Sequence, residues 1–339
     1  ALPICGGDGA DTITTSATVT VANGANVTNV ETLKIVSAAL GADFSQDMDA
    51  FSSAAGVTLG DTNDKDITLT DAAAGTGLTI TAGNTGATGH SIAHKVDTSS
   101  DSLTLTLGTS TAAGGTQTVV SASTTELLTI NSIGGANTIT TLTAGDLTSL
   151  TVTGDKALTI TNAIGGSTAI ATVDGSAATA ALDIDITSNA SGTAATVTGG
   201  SGADTLTGGA GNDSISGGAG NDSLNGDDGV DTIAGEAGDD AITGGTGNDV
   251  ITGGDGADTI DSESAKDNID GGAGNDTITF TATLDVTDTV NGGDGTDAIV
   301  GISADLVALA VPATATISNF ETITVSDALG GALTTANVQ

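Results

Sequence analysis

Tryptophan and tyrosine are absent from the 339 residues, and phenylalanine occurs only four times. A thick globular core normally leans on large aromatic side chains, so one large core is excluded. Arginine is absent too. The basic residues are five lysines, Lys34, Lys65, Lys95, Lys156 and Lys266, against 42 acidic groups, for a formal charge of -37. Such a surface repels nucleic acid and anionic lipid, both of which need clustered positive charge, and it attracts cations. One cysteine, Cys5, allows no internal disulfide, reads as unpaired and incidental, and leaves any staple to something else. No apolar run approaches the ~18 residues of a membrane span. The first residues lack the basic and apolar regions of a signal peptide. The expectation is therefore either a trimmed leader or export by a route that reads no N-terminal signal.

What the chain has instead is glycine, 51 residues of it, and a repeat. From residue 199 the period is nine: GGSGADTLT, GGAGNDSIS, GGAGNDSLN, GDDGVDTIA, GEAGDDAIT, GGTGNDVIT, GGDGADTID, SESAKDNID and GGAGNDTIT. A three-residue insert, 280–282, follows, and TLDVTDTVN and GGDGTDAIV then restore the phase up to residue 300. A further unit, GGDGADTIT, stands alone at 6–14. Glycines at positions one, two and four permit positive φ and close backbone approach. Position six is always aspartate and position eight always Leu, Ile or Val. The first six residues are expected to turn, and the last three to make a short strand with one buried side chain.

Two units make one coil of 18 residues, so turns on the same side are 18 residues apart. Asp204, Asp222, Asp240, Asp258 and Asp276 fall in one column, and Asp213, Asp231, Asp249 and Asp267 in the other. Stacked coils sit about 4.8 Å apart, a spacing at which carboxylate columns repel unless a counter-ion intervenes. Carboxylate and carbonyl oxygens are the hard ligands that Ca²⁺ takes. One aliphatic side chain per nine residues is little apolar burial to set against the entropy of ordering the chain. Metal binding and folding are thus expected to be one event.

At these residues the chain resembles the RTX family, whose signature is G-G-x-G-x-D-x-U-x. The resemblance runs over 199–300 and reappears at 6–14. It implies an all-β fold, a parallel β-roll or RTX β-solenoid, with Ca²⁺ held between successive same-side turns by position-six aspartates and turn carbonyls. The implied metal ligands are Asp11, Asp204, Asp213, Asp222, Asp231, Asp240, Asp249, Asp258, Asp276 and Asp297. Asp267 and Asp288 are weaker candidates, because SESAKDNID has lost every glycine and TLDVTDTVN departs similarly. Type I secretion and folding outside the cell, where calcium is high, are also implied.

Residues 15–198 are expected to form a Thr/Ala-rich β-domain, a β-sheet or β-solenoid. Runs such as LTITAG (78–83), LTLTLG (103–108), LTSLTVTGD (147–155) and LDIDIT (182–187) alternate Thr or Asp with aliphatics. Phe44, Met48 and Phe51 at helical spacing, with Ser45 as N-cap, predict a short helix near 44–55. Residues 301–339 read as a C-terminal β segment, a cap or the start of a further module. An internal echo links the two ends: Asn29-Val-Glu-Thr-Leu-Lys-Ile35 matches Asn319-Phe-Glu-Thr-Ile-Thr-Val325, and each follows a complete nonapeptide. The N-x-E-T elements, with scarce aromatics and no arginine, resemble RTX-type bacterial surface-layer proteins.

Other candidates weigh little. His90 and His94 have i,i+4 spacing, but flanking glycines argue against a helix and no Cys or acidic partner follows, so a solvated loop pair is expected. DTNDKD (61–66) lacks the glycine and distal glutamate of an EF-hand loop and reads first as a solvated turn, with an irregular Ca²⁺ site as the alternative. Asp183 and Asp185 share a strand face, expected to be exposed. No H-E-x-x-H or G-x-S-x-G occurs, which argues against the metalloprotease and lipase members of the RTX group. The expectation is a non-catalytic, secreted structural protein of the bacterial cell surface. Its partners would be copies of itself and, as a further candidate, cell-surface polysaccharide. The alternative is a segment of a large RTX adhesin. Its ice-binding variant is disfavoured, because position three carries no regular row of threonine. An enzyme or toxin using the roll as a secretion chaperone would need a catalytic domain outside these residues.

Overall fold

The computed structural model describes residues 12–15, 32–36, 44–47, 56–60, 67–72, 77–80, 90–94, 101–108, 116–122, 124–164, 169–189, 192–263, 265–280, 288–301 and 316–325. Among them no helix forms, and successive strands alternate between two sheets in which neighbours pair in parallel. The chain is a parallel β-solenoid. It divides into two compact units, Ala1–Thr172 and Val173–Gln339.

In the first unit, alternation of threonine with aliphatics makes strands with one wet and one dry face. Ser102–Leu107, Leu127–Ser132 and Ser149–Gly154 stack in register. Leu103, Leu128 and Leu150 form one aliphatic ladder and Leu105, Ile130 and Val152 a second, all buried. The opposite sheet carries Thr116–Ser121, Asn137–Thr143 and Leu158–Ile160, with Ile139 facing Ile160 and Leu142 facing Val120. Each coil therefore places several branched side chains in the dry interior, where each contributes on the order of 1.5–3 kcal/mol.

The second unit uses the nine-residue period. One sheet is built from Thr172–Ala178, Thr196–Thr198, Ser214–Ala219, Thr232–Ala237, Val250–Asp255, Asn268–Gly274, Thr289–Asn291 and Thr316–Ser318, with Asp294–Gly295 also pairing with Asn268–Gly274. The other is built from Leu182–Asp185, Thr205–Ala210, Ser223–Asp228, Ala241–Thr243, Thr259–Asp261, Thr277–Thr279, Ala298–Gly301 and Thr322–Val325. Every position-eight residue from Leu206 to Ile299 is at most 2% exposed. Several strands run longer than the three residues the pattern predicts. Pairing continues through positions two and three of the next unit, as in Gly218 opposite Glu236 and Ala219 opposite Ala237, because the glycine turns stack as closely as the strands do. Position two holds a positive φ even where it is not glycine, at Asp227 (68°), Glu236 (78°) and Glu263 (62°). Stacking thus imposes the left-handed conformation on side chains that disfavour it.

Two expectations are corrected. Phe44–Asp47 is a strand, not the start of a helix. Parallel pairing with Ile67–Ala72, Phe44 opposite Ile67, overrides a helical spacing that rested on three apolar residues; residues 48–55 lie outside the described ones. His90–His94 is likewise a strand rather than a loop. Asp183 is exposed, as expected, whereas Asp185 on the same strand is half-buried. The DTNDKD segment and Cys5 lie outside the described residues. The end echo has a structural counterpart. Thr12–Thr15 pairs with Thr32–Val36, Thr12 opposite Thr32, and Ala298–Gly301 pairs with Thr322–Val325, Ala298 opposite Thr322. In both copies the strand that closes the nonapeptide pairs with the strand after the glutamate.

Candidate metal centre

Each position-six aspartate immediately precedes a strand, and the turn before it folds the carboxylate back under the stacked glycines. The consequence is burial: Asp204, Asp213, Asp222, Asp231, Asp240, Asp249, Asp258, Asp267, Asp276, Asp288 and Asp297 are all at most 3% exposed. The two oxygens of each carboxylate do different work. One, Oδ1, accepts a main-chain N–H from the rung one coil earlier. Asp204 donates to Asp222, Asp222 to Asp240, Asp240 to Asp258 and Asp258 to Asp276, at 2.8–2.9 Å. Asp276 then donates to Asp297 across the 21-residue step that the insert creates. The second column runs from Asp213 through Asp231, Asp249 and Asp267 to Asp288. The columns begin on the N–H groups of Leu182 and Ala195.

The other oxygen, Oδ2, is buried without a hydrogen-bond partner in Asp222, Asp231, Asp240, Asp249, Asp258, Asp276 and Asp297. A buried, unpartnered acceptor costs about 1–3 kcal/mol, more when charged. Such a cost repeated along two columns asks for a ligand. The position-one glycines show where it fits. A Cβ on Gly208 would stand 2.6 Å from Asp213 Oδ2 and 3.1 Å from the Gly226 carbonyl of the next same-side turn. Gly217, Gly226, Gly235, Gly253 and Gly271 repeat the pair, carboxylate on one side and carbonyl on the other, each under 3.0 Å. Each glycine leaves a cradle lined by hard oxygens of two successive coils, the donor set that Ca²⁺ prefers. Among the described residues no group of three or more His, Cys, Asp or Glu side chains converges on one point. The sites are built from single carboxylates and main chain.

Desolvation lifts every one of these aspartates for which a shift is resolved. Asp231 and Asp267 rise to about 7. Asp240 and Asp276 rise to about 6. Burial is the leading cause; the N–H of the preceding rung opposes it, and neighbouring carboxylates in the column add to it. A divalent cation between rungs would reverse this balance by supplying opposite charge where water is excluded.

The pattern has local exceptions. Asp204 Oδ2 accepts the Gly200 N–H at 2.7 Å. At the degenerate unit, position one is Ser262, 1% exposed, and its hydroxyl bonds to the Asp267 carboxylate. A real side chain thus stands where other units leave a cradle. Asp288 is fully buried, while its position-one residue and Asp11 lie outside the described residues. Glutamate also enters the ladder, which the repeat does not announce. Glu321 Oε2 accepts the Asp297 N–H at 2.7 Å, and Glu126 Oε2 accepts the Asp101 N–H at 2.8 Å in the first unit. The one signal for Glu321 is the N-x-E-T echo.

Residues 198–233, 234–265 and 243–278 match the family model described as RTX calcium-binding nonapeptide repeat (4 copies). This part of the chain is therefore an RTX calcium-binding β-roll. No curated protein matches the chain.

Proposed function

We propose that this protein is a non-catalytic extracellular structural subunit, folded by calcium and self-assembling into a surface layer or a related lattice or filament. The observation that carries this reading is the repeated junction. The same nonapeptide-to-glutamate sequence occurs near both ends, and both copies place their strands in the same parallel pairing. A cargo chaperone has no need of such a junction, whereas a modular building block does. The aspartate columns support the calcium dependence, since their carboxylates are buried and Asp222, Asp231, Asp240, Asp249, Asp258, Asp276 and Asp297 leave one oxygen to a ligand. Among the described residues no helix is long and apolar enough to cross a membrane. Bound calcium neutralises the columns and ties each coil to the next.

Electron microscopy and size-exclusion chromatography of the full chain, in millimolar calcium and in EDTA, test this. Ordered sheets or filaments in calcium that disperse in EDTA support it. A strictly monomeric protein in calcium overturns the assembly reading, and cell attachment by such a monomer would favour the adhesin alternative.

A further inference from the structure

The first aspartate column does not end on an aspartate. We infer that it ends in one further cation site beyond the nonapeptides, held by Asp297 Oδ2 and the Asn319 main-chain carbonyl, with Glu321 as its positioning residue. This rests on reading the glycine cradles as calcium sites.

The argument starts from register. Asn291 pairs with Ser318, so Asn319 stands opposite Gly292, the position-one glycine of the last unit. Between that point and the next strand the last unit spends six residues, GGDGTD, whereas the following coil spends three, Asn319, Phe320 and Glu321. The short turn is possible because Asn319 takes the left-handed conformation, φ 59°. Its side-chain amide donates to Asn291 Oδ1 at 2.8 Å, and Phe320 is buried beneath it. The Gly292 N–H donates to the Ser318 carbonyl at 3.0 Å, which keeps the two turns stacked.

Two independent features then reproduce the inner sites. Asp297 Oδ2 is buried and unpartnered, in a residue 1% exposed. A Cβ on Gly292 would meet the Asn319 carbonyl and Asp297 Oδ2, both under 3.0 Å. The cradle at Gly271 has the same two donors, the Gly292 carbonyl and Asp276 Oδ2. An asparagine carbonyl thus does the work of a glycine carbonyl. Glu321 does the work of the next aspartate. Its carboxylate accepts the Asp297 N–H at 2.7 Å, and the N–H groups of Glu321 and Thr322 donate to the Asp297 carbonyl at 3.1 and 3.0 Å. The extra methylene of glutamate lets a three-residue turn reach where a six-residue turn places an aspartate. The first unit builds the same clasp from Glu126 and Asp101.

The test uses the full chain: calcium counted per chain at saturation by equilibrium dialysis, with hydrogen exchange followed peptide by peptide. Asp297→Asn keeps the Oδ1 acceptor and removes the charge; Gly292→Ala fills the cradle and leaves the carboxylate intact. Each is expected to bind one calcium fewer than the parent and to lose calcium-dependent protection over 316–325, while 205–255 stays protected. Glu321→Gln keeps an acceptor for the Asp297 N–H, so the count should hold. The calcium midpoint for protection at 316–325 should rise roughly three- to tenfold, with calcium-free exchange there unchanged. An unchanged count in both Asp297→Asn and Gly292→Ala overturns the site. Asp240→Asn serves as the inner control: if it too loses no calcium, the reading of the cradles fails rather than the terminal site alone.

Discussion

The two units answer one architectural problem with different chemistry. In both, a coil must hold the coil before it. In the first unit, branched aliphatics stacked on aliphatics do so: Leu103, Leu128 and Leu150 in one ladder, Leu105, Ile130 and Val152 in the next. Its coils are long, 25 and then 22 residues, and among its described residues the buried polar side chains other than the Thr125 hydroxyl are satisfied by protein. Asn137, 1% exposed, donates from Nδ2 to Leu107, Ile133 and Gly135 carbonyls and to the Ser132 hydroxyl. In the roll, the coil shrinks to 18 residues with one aliphatic per nine, and the side chain at each corner is an aspartate, which in Asp222, Asp231, Asp240, Asp249, Asp258, Asp276 and Asp297 has one oxygen left over. The first is held together by what excludes water, the second by what must capture an ion. Thinning the core and setting carboxylates at the corners are together the changes expected to make a solenoid conditional on its medium.

The largest effect that separates the two is chelation. In EDTA, amide exchange over 199–300 should become fast while peptides within 101–164 keep their protection. Equal loss in both would erase the distinction, and protection of the roll at sub-micromolar calcium would reverse it. Truncating the core should discriminate next. Ile130→Ala is expected to cost about 2–5 kcal/mol in local stability whether or not calcium is present, whereas Ile242→Ala should show its cost only in calcium. Hydrogen exchange in both media separates the two outcomes.

Acidity sharpens the comparison further. Asp231 and Asp267 titrate at about 7, and Asp240 and Asp276 at about 6, above the ordinary 3.8. The folded, calcium-free roll then binds more protons than the unfolded chain between about pH 4 and pH 7, so its stability falls as pH rises through that window. Acidifying an EDTA solution from about pH 7.5 to about pH 5 should restore circular-dichroism β signal and exchange protection in the roll. In calcium the same acidification displaces the ion and should weaken it. A calcium-free roll insensitive to pH would remove the carboxylates as the cause. The smallest effect expected is at the degenerate unit. Ser262→Gly reopens a cradle beside Asp267 and should add one calcium per chain, counted by dialysis; an unchanged count would mean that more than the serine closes that corner.

The columns were legible in the sequence because a period of nine with a fixed aspartate leaves one way to stack. The aliphatic at position eight told which side faced in. Strand length was not legible, since glycine has low strand preference and only stacking of whole turns extends the ladder into positions two and three. The segment at Phe44 misled because three apolar residues fit a helix as well as a strand, and the partner strand at Ile67–Ala72 lies 23 residues on, where local pattern does not reach. The role of each oxygen could not be read either: that Oδ1 is spent on an amide and Oδ2 is left over depends on how one turn overlies the next. Glu126 and Glu321 escaped for the same reason, being rungs by position in space and not by position in a repeat.

Each clasp of the position-six columns runs one way, the carboxylate taking the amide of the coil before it, whereas position-five side chains such as Asp239 take the amide of the coil after. The two ends of a column are therefore chemically unlike. One offers main-chain N–H groups, the other carboxylates, and Glu321 is the carboxylate that closes the last of them. A joint between two such stacks made through this clasp can only be heterologous, head to tail. A two-fold axis would bring like against like, amide to amide or carboxylate to carboxylate. Through this clasp head-to-tail joints, open or ring-closing, are permitted and isologous two-fold ones are not.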